Sequence, residues 1–231
     1  MIVLNNPNNP TGATIPGDVL ASIVEVARKH NIILFSDEVY RPLFHNDDEA
    51  TAPPSIATMG YANAVVTSSL SKAWALAGIR VGWVASPSRG LIEQLAAARD
   101  YTTISVSQLD DQVARYALHP AVRSALLWRN RALAVRNRAL LARFVAEHGR
   151  QVSWVEPTAG TTAFVRFGGD GMAVDDVHFC RDVLARTQVM LVPGSKCFGH
   201  GDAFRGYVRM GYVCETAVLE EALTRLDGYI R

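Results

Sequence analysis

The order of apolar runs and helical patterns in the N-terminal part of the chain predicts a sheet with a helix between its strands. Apolar runs of strand type begin at residues 2, 32 and 64. Between the first two, Pro16 and the apolar residues that follow it at spacings of three and four predict a helix over about 16–30. The run at 32–35 is continuously apolar, which is typical of a strand buried on both faces of a parallel sheet. The pattern predicts a βαβ unit in an α/β fold with a mostly parallel central sheet.

The remaining two thirds of the chain change from strand patterns to helical ones and back. A loop rich in Asp, Pro and Ala covers about 42–60, and a further strand is predicted over 81–85. Helical patterns then occupy 91–98 and 106–118, and a long amphipathic helix ends at Gly149. The rest predicts a smaller α+β unit, with strands near 152–155, 162–167, 189–192 and 206–210 and helices near 174–187 and 215–230.

The long helix contains a seven-residue repeat, ALLWRNR, ALAVRNR and ALLARFV. The repeat places leucines on one stripe and arginines on another: Leu126, Leu133 and Leu140, and Arg129, Arg136 and Arg143. Such a helix either binds nucleic acid or an acidic partner, or bridges two domains with its arginines solvated or paired with acids. The apolar stripe favours the second interpretation. We expect a large domain over 1–120, an interdomain helix over 121–150 and a small α+β domain over 151–231.

Composition and charge exclude several classes of protein. Of the 231 residues, 49% are apolar, which excludes a disordered chain, and only 19% are charged, which predicts that part of the surface is covered. The net charge of +1 argues against a protein that binds nucleic acid through its overall field. The three cysteines form no CxxC pair and the six histidines have no ligand spacing, so we expect reduced thiols and no metal. Since no membrane-helix run or signal-peptide pattern is present, we expect a cytoplasmic protein that binds no membrane.

Polar side chains with chemical potential follow successive predicted strands, where open α/β sheets place their ligands. An amide, an acid with a phenol, and an amine follow the first three strands in this order: Asn9, Asp37 with Tyr40, and Lys72. Taken singly, each position also fits an ordinary turn, helix cap or exposed lysine. Three successive strand ends that deliver complementary groups favour a site over separate coincidences.

Lys72 is the sharpest of these signals. A lysine amine is the nucleophile that forms Schiff bases with carbonyl compounds. Ser69 lies three residues before Lys72 and Arg80 eight residues after it, and a hydroxyl with a guanidinium can hold a phosphate. Arg209, in the sequence YVRMGY, adds a second guanidinium from the smaller domain.

The ordered set resembles one family, the fold type I, pyridoxal-phosphate-dependent class I/II aminotransferases. The resemblance is carried by Asn9-Pro10-Thr11-Gly12, Asp37 with Tyr40, Ser69-Leu70-Ser71-Lys72 with Arg80, and Val208-Arg209-Met210-Gly211-Tyr212. It covers the chain from end to end, and the set in this order is highly specific. It implies that the chain transfers amino groups between an amino acid and a 2-oxo acid.

The resemblance also implies a role for each residue toward the cofactor, pyridoxal 5'-phosphate. Lys72 matches the lysine that forms the Schiff base and moves a proton at the substrate α-carbon. Asp37 matches the acid paired with the pyridine nitrogen, which keeps that nitrogen protonated. Tyr40 and Asn9 match the two donors to the phenolic oxygen.

The two guanidinium groups match anion-binding positions of the family. Ser69 and Arg80 match ligands of the cofactor phosphate, and Arg209 matches the residue that binds the α-carboxylate of the substrate. A carboxylate accepts two parallel N–H bonds from a guanidinium, which explains an arginine rather than a lysine at 209.

Members of this family are much longer before the NPTG strand, which implies that this chain lacks an N-terminal portion of the large domain and that its sheet is incomplete. The strands at 2–5 and 81–85 are then expected at open edges of the sheet. The full-length family form implies a homodimer, in which a second subunit covers part of the surface. The motifs leave two alternatives to transamination open: a related lyase or synthase that uses the same residue set, and a catalytically inactive, fragmentary copy.

Overall fold

The computed structural model describes residues 1–46, 52–169, 172–200 and 203–231. This part of the chain divides into two compact units. The first comprises Met1–Asn8 and Thr14–Arg131, and the second comprises Asn9–Ala13 and Ala132–Arg231. The predicted loop over 42–60 includes residues 47–51, which lie outside the described residues.

The first unit is built on a four-stranded sheet. Its elements in chain order are β1 (Ile2–Asn5), α1 (Gly17–Lys29), β2 (Leu34–Asp37), β3 (Ala64–Ser69), β4 (Gly82–Ala85), α2 (Arg89–Arg99), α3 (Gln108–Leu118) and the beginning of α4 (Pro120–Glu147). The strand order is β1-β2-β3-β4, in which the first three strands are parallel and β4 runs antiparallel to β3. The α/β fold with a mostly parallel sheet is confirmed.

Helix α1 packs on this sheet through the apolar stripe that its sequence predicts. Leu20, Val24 and Ala27, spaced by four and three residues, are buried and contact Leu34 and Val66 in one core cluster. The helix begins directly after Pro16, whose fixed φ of −59° suits a helix start. The result is the predicted βαβ unit, with β1 and β2 in parallel register from Ile2 opposite Leu34 to Asn5 opposite Asp37.

The outer strands lie at the two edges of the sheet, as the sequence predicts. Among the described residues, β1 pairs only with β2 and β4 only with β3. Val3 is 61% exposed and Val84 is 44% exposed, so apolar side chains of both strands face solvent. Each strand therefore presents one row of open backbone donors and acceptors.

The second unit is an antiparallel sheet with helices. After the rest of α4 come β5 (Val152–Trp154), β6 (Thr162–Gly169), β7 (Met172–Ala173), α5 (Asp176–Thr187), β8 (Val192–Pro193), α6 (Gly194–Cys197), β9 (Tyr207–Gly211) and α7 (Thr216–Ile230). The strand order is β5-β6-β9-β8, and β7 pairs with β6. Its core combines side chains of the sheet with side chains of α4, α5 and α7, among them Leu141, Val165, Val183, Val208 and Leu226.

Two predicted strands begin two or three residues later in the structure than the sequence predicts. The strand predicted over 32–35 lies at Leu34–Asp37, because its neighbours on both sides offer pairing as far as Asn5 and Thr67. The strand predicted over 189–192 is wrong in its bounds: only Val192 and Pro193 pair, with β9. An apolar run shows which residues favour a strand, whereas the partner strand decides which of them pair.

Helix α4 buries a different stripe from the one that its leucines suggest. Asn130, Ala134, Asn137 and Leu141 are fully buried, whereas Leu126, Leu133 and Leu140 are only half-buried and Arg129, Arg136 and Arg143 are exposed. The buried stripe follows the i, i+4, i+7, i+11 spacing of one helix face and includes two asparagines of the repeat. In the part of the chain that is described, no helix is long and apolar enough to cross a bilayer.

Candidate functional site

Asp37 ends strand β2 at the carboxyl edge of the parallel sheet. Its backbone lies between Asn5 of β1 and Thr67 of β3 in register. Its carboxylate Oδ1 accepts the N–H of Val39 at 3.1 Å, which orients the half-buried side chain. Its Oδ2 accepts no hydrogen bond from any residue that the structure describes. Asp37 therefore offers a carboxylate oxygen to a ligand at this edge.

The turn after β2 is fixed by Glu38, which sequence reasoning did not identify. Its carboxylate is buried and accepts the N–H of Ile56 at 3.2 Å, and Arg41 Nε lies 3.9 Å from it. Burial raises the pKa of the Glu38 carboxyl, against the hydrogen bonds and the Arg41 charge that lower it. Glu38 also donates its N–H to Thr67 at 2.8 Å. These contacts hold Tyr40, which is 4% exposed, in the same turn as Asp37.

Lys72 lies in a compact loop that follows β3. The loop begins at Ser69, the last residue of β3, whose Oγ accepts the N–H of Ser71 at 3.1 Å. Leu70 is fully buried, and its carbonyl accepts the N–H of Leu76 at 2.9 Å. The Lys72 carbonyl accepts the N–H of Ala75 at 3.1 Å. The backbone is therefore closed on itself on both sides of Lys72, while the lysine itself is exposed.

The pairing of β3 with β4 brings the backbone that follows Arg80 beside Ser69. Gly82, two residues after Arg80, lies opposite Ser69 in the antiparallel register. A Cβ at Gly82 would lie 2.9 Å from the carbonyl oxygen of Ser68, so only glycine allows this close approach. Arg80 itself is exposed, has a left-handed backbone at φ 51° and donates from Nη1 to the Ala77 carbonyl at 2.8 Å.

The second unit contains the other two predicted site residues, and it brings them together. Arg209 lies on β9, the strand between β6 and β8. Its Nη1 donates to Asn9 Oδ1 at 3.3 Å, and its guanidinium lies 5.4 Å from the centre of the Phe198 ring. The start of β9 is held by Asp176, which is 1% exposed and accepts the N–H of Gly206 at 3.2 Å. Asp176 is a further residue that sequence reasoning missed.

The NPTG turn joins the second unit although it follows β1 in sequence. The Gly12 carbonyl accepts the N–H groups of Thr158 and Ala159, each at 3.0 Å. Gly12 has a φ of +68°, and a Cβ on it would lie 2.5 Å from Cβ of Pro157. The turn therefore requires glycine for its backbone conformation and for its close contact.

Five of the seven predicted site residues thus belong to the first unit and two to the second. Asp37, Tyr40, Ser69, Lys72 and Arg80 lie at or after the carboxyl ends of β2 and β3, and Asn9 contacts Arg209 in the second unit. Within the described ranges, no group of three or more His, Cys, Asp and Glu side chains is arranged to hold a metal ion. The arrangement combines an amine, a carboxylate and donors for anions.

Three of the known proteins to which this chain is similar match nearly all of it. A capreomycidine synthase of Streptomyces vinaceus is 31% identical over 98% of this chain and 54% of its own length. An aspartate aminotransferase of Pyrococcus horikoshii is 29% identical over 98% of this chain and 56% of its own length. The crystal structure of a PLP-dependent aminotransferase from Streptococcus suis superposes with a TM-score of 0.86 at 36% identity, over 100% of this chain and 57% of that one.

The chain thus spans about half the length of the curated relatives that it matches. The family profile described as "Aminotransferase class I and II" matches residues 1–226. This match extends through both units, from β1 into α7. The chain belongs to the class I and II aminotransferase family.

Proposed function

We propose that the protein transfers an amino group between an amino acid and a 2-oxo acid, with pyridoxal 5'-phosphate as cofactor and Lys72 as the residue that binds it through a Schiff base. The observation that carries the proposal is the order of groups on one sheet edge. Asp37 ends β2, and Ser69 ends the adjacent β3, three residues before Lys72. An acid, a hydroxyl and an amine on neighbouring strand ends are the groups that this cofactor needs.

The donor set of the first unit fits pyridoxal phosphate. Asp37 has one carboxylate oxygen without a hydrogen-bond donor among the described residues, which suits a protonated ring nitrogen. Lys72 is exposed and can reach an aldehyde. The Ser69 hydroxyl and the Arg80 guanidinium provide donors for a phosphate. Tyr40 would donate to the phenolic oxygen, and the family resemblance assigns Asn9 the same role.

When bound, pyridoxal phosphate supplies an electron-accepting ring that stabilises the negative charge left when an amino acid loses its α-proton. Residues of this chain would bind the ring and transfer the proton. The Asp37 carboxylate would accept a hydrogen bond from the ring nitrogen. The Lys72 amine would accept the proton from the substrate α-carbon as a general base and would later donate it as a general acid.

Arg209 would bind the substrate carboxylate. Its guanidinium is held by Asn9 Oδ1 and lies over the Phe198 ring, so its direction is set before a ligand arrives. Two parallel N–H bonds to a carboxylate fix the orientation of an amino acid as well as its affinity. The substrate classes that follow are α-amino acids and 2-oxo acids.

Trapping the cofactor with borohydride tests the proposal on the chain itself. The lysine amine condenses with the cofactor aldehyde and releases water; hydride from borohydride then adds to the carbon of the C=N bond, and a proton from water to its nitrogen. The chain has three lysines, Lys29, Lys72 and Lys196, and all are exposed, so accessibility alone favours none. We expect Lys72 to carry about ten times more label than either other lysine, because a site raises the local cofactor concentration.

Peptide mapping by mass spectrometry gives the label on each lysine. Lys72→Ala is expected to remove the preferred label, while Lys196→Ala leaves it intact. Equal labelling of the three lysines in the wild-type chain would contradict the proposal.

A second candidate is a cyclase or synthase that uses the same cofactor. It is favoured by the similarity to a protein named capreomycidine synthase. The two reactions differ in the fate of the nitrogen. With a ¹⁵N-labelled amino acid and an unlabelled 2-oxo acid, an aminotransferase moves the label to the second carbon skeleton, whereas a synthase keeps it on the first. A labelled Lys72 without either product indicates an inactive copy.

We further propose a homodimer in the full-length form, in the cytoplasm. The homodimer is supported by an exposed apolar stripe on helix α3. Leu109, Val113 and Tyr116 form this stripe at i, i+4 and i+7, and Leu109 is 81% exposed. Exposed apolar stripes of this kind are typical of protein interfaces. Sedimentation of the full-length form at increasing concentration is expected to show a dimer that Tyr116→Ser weakens; a monomer at every concentration would contradict the homodimer.

A further inference from the structure

The asparagine of the first helical repeat contacts the lysine loop. Asn130 lies on α4, and its side-chain Nδ2 donates to the carbonyl oxygen of Ala73 at 3.0 Å. Ala73 directly follows Lys72 and is fully buried, and Asn130 is 6% exposed. The contact joins residues that are 57 positions apart in the sequence and belong to the same unit.

The orientation of the Asn130 side chain is set by its own neighbours. Its Oδ1 accepts hydrogen bonds from Nε of Arg129 at 3.2 Å and from Nη2 of Arg129 at 3.1 Å. Since the oxygen is occupied by donors, the amide nitrogen is the atom that faces the Ala73 carbonyl. The buried Asn130 side chain thus accepts hydrogen bonds from its own helix and donates one to the loop.

The Ala73 carbonyl depends on Asn130 for its hydrogen-bond donor. A buried carbonyl without a donor costs about 1–3 kcal/mol, so a loop that lost Asn130 would rearrange to hydrate this group. The rearrangement would begin at the peptide that follows Lys72, because the Leu70 N–H on the other side donates to the carbonyl of Val81, directly before β4, at 3.1 Å. Asn130 therefore holds the C-terminal side of Lys72 from outside the loop, and Val81 holds the N-terminal side.

We propose that Asn130 is a positioning residue for Lys72: through the Ala73 carbonyl, it holds the backbone that aims the lysine amine at the cofactor. The aiming of Lys72 at a cofactor rests on the proposed function. The ordering of the loop by Asn130 does not depend on that function. It also gives a structural role to the seven-residue repeat, which the catalytic residues leave unexplained.

The second copy of the repeat offers a matched control. Asn137, seven residues later on α4, is also fully buried and donates its Nδ2 to backbone carbonyls, those of Tyr212 and Cys214, each at 2.8 Å. Its Oδ1 accepts from Thr216 Oγ1 at 2.9 Å. These contacts lie in the second unit and touch no part of the Lys72 loop. Asn130→Asp and Asn137→Asp are the same isosteric change, and both replace the donor by an acceptor.

Two measurements on the wild-type chain and both variants test the proposal. The first is hydrogen–deuterium exchange of the peptide over 70–76, where the N–H groups of Ala75 and Leu76 report the closed loop. The second is the share of pyridoxal-phosphate label that borohydride fixes on Lys72 relative to Lys29 and Lys196. For Asn130→Asp we expect exchange about five-fold faster over 70–76 and a Lys72 share about five-fold smaller, the factor of one ordinary buried hydrogen bond. Asn137→Asp should keep wild-type values in both, although it lowers overall stability.

Each result decides a separate claim. Exchange over 70–76 in Asn130→Asp that matches wild type overturns the proposal, whether or not the cofactor binds. Faster exchange with an unchanged Lys72 share also overturns it, because the loop then does not aim the lysine. Equal labelling of all lysines in the wild-type chain contradicts the proposed function. In that case, faster exchange of Asn130→Asp confined to 70–76 still supports the role of Asn130 in ordering the loop. If Asn130→Asp does not fold, Asn130→Ala, which removes the donor without adding a charge, is measured in the same way.

Discussion

Nη1 of Arg209 lies 3.3 Å from Oδ1 of Asn9, so the last motif of the sequence and the first one meet although 200 positions separate them. The contact leaves the remaining N–H groups of the guanidinium for other acceptors. It also depends on the NPTG turn, which reaches the second unit through the Gly12 carbonyl. The first two predictions follow from these two features.

Arg209→Lys should weaken amino acid binding by about ten-fold or more, because an ammonium group is a point charge and cannot make two parallel bonds to a carboxylate. The measurement is the absorbance change of the cofactor-loaded chain during titration with an α-amino acid. Arg205→Lys, at an exposed arginine of the same unit, is the control and should bind like wild type. Equal affinity of Arg209→Lys and wild type would remove Arg209 from the substrate site.

Gly12→Ala should destabilise the chain by about 2 kcal/mol or more. The substitution places a side chain at a φ of +68° and brings its Cβ 2.5 Å from that of Pro157. Urea denaturation measures the change. Gly228→Ala is a control of opposite sign: this glycine lies in α7 with no atom near its missing Cβ, so alanine should stabilise by about 0.5–1 kcal/mol through helix propensity. A neutral Gly12→Ala would mean that the turn relaxes without cost.

Glu38 should make the stability of the chain depend on pH with a defined sign. Because burial raises the pKa of this carboxyl above its ordinary 4.5, the folded state holds its proton at pH values where the unfolded state has lost it. The contribution of Glu38 to stability therefore falls as pH rises through that window. Glu38→Gln keeps an oxygen for the Ile56 N–H. Its stability relative to wild type should therefore increase from pH 5 to pH 8.

Unfolding free energies of wild type and Glu38→Gln at these two pH values test the sign. Glu38→Ala should be less stable than Glu38→Gln by about 1–3 kcal/mol at both, since it leaves the buried Ile56 N–H without an acceptor. A difference between wild type and Glu38→Gln that does not change with pH would contradict the raised pKa.

The three cysteines should react with a thiol reagent in the order Cys197, Cys214, Cys180. Cys197 is exposed, Cys214 is half-buried with its pKa raised by burial, and burial raises the pKa of Cys180 to about 12. Since the thiolate is the reactive form, both access and ionisation protect Cys180. Timed alkylation of the native chain with mass mapping gives the order; early labelling of Cys180 would show that α5 opens.

The sequence predicts local structure well where one pattern dominates. In α1, Pro16 and the spacing of Leu20, Val24 and Ala27 indicate the start of the helix and its buried face, and the structure confirms both. It predicts the bounds of β2 less well, because pairing with Asn5 and Thr67 extends that strand to Asp37. Strand ends depend on partners that are distant in sequence, whereas helix hydrogen bonds are local.

The site shows the same division. The sequence offers Lys72, Asp37 and Arg209 as candidates, because the motifs that contain them resemble in order those of one family. Glu38 and Asp176 are not such candidates, since a carboxylate is ordinarily solvated, and only the structure shows each buried with backbone N–H partners.

By itself, the sequence determined the βαβ start and the long helix, because these depend on periodicity, and it supplied the candidate groups that we propose to act on a cofactor. Only the tertiary structure decided that Asn130 and Asn137 lie on the buried face of α4 and not the exposed one. An asparagine within an arginine-rich repeat looks solvated by composition. Burial of Asn130 is stable because the Ala73 carbonyl accepts its hydrogen bond, and burial of Asn137 is stable because the Tyr212 carbonyl does the same. These acceptors lie 57 and 75 positions away in the sequence.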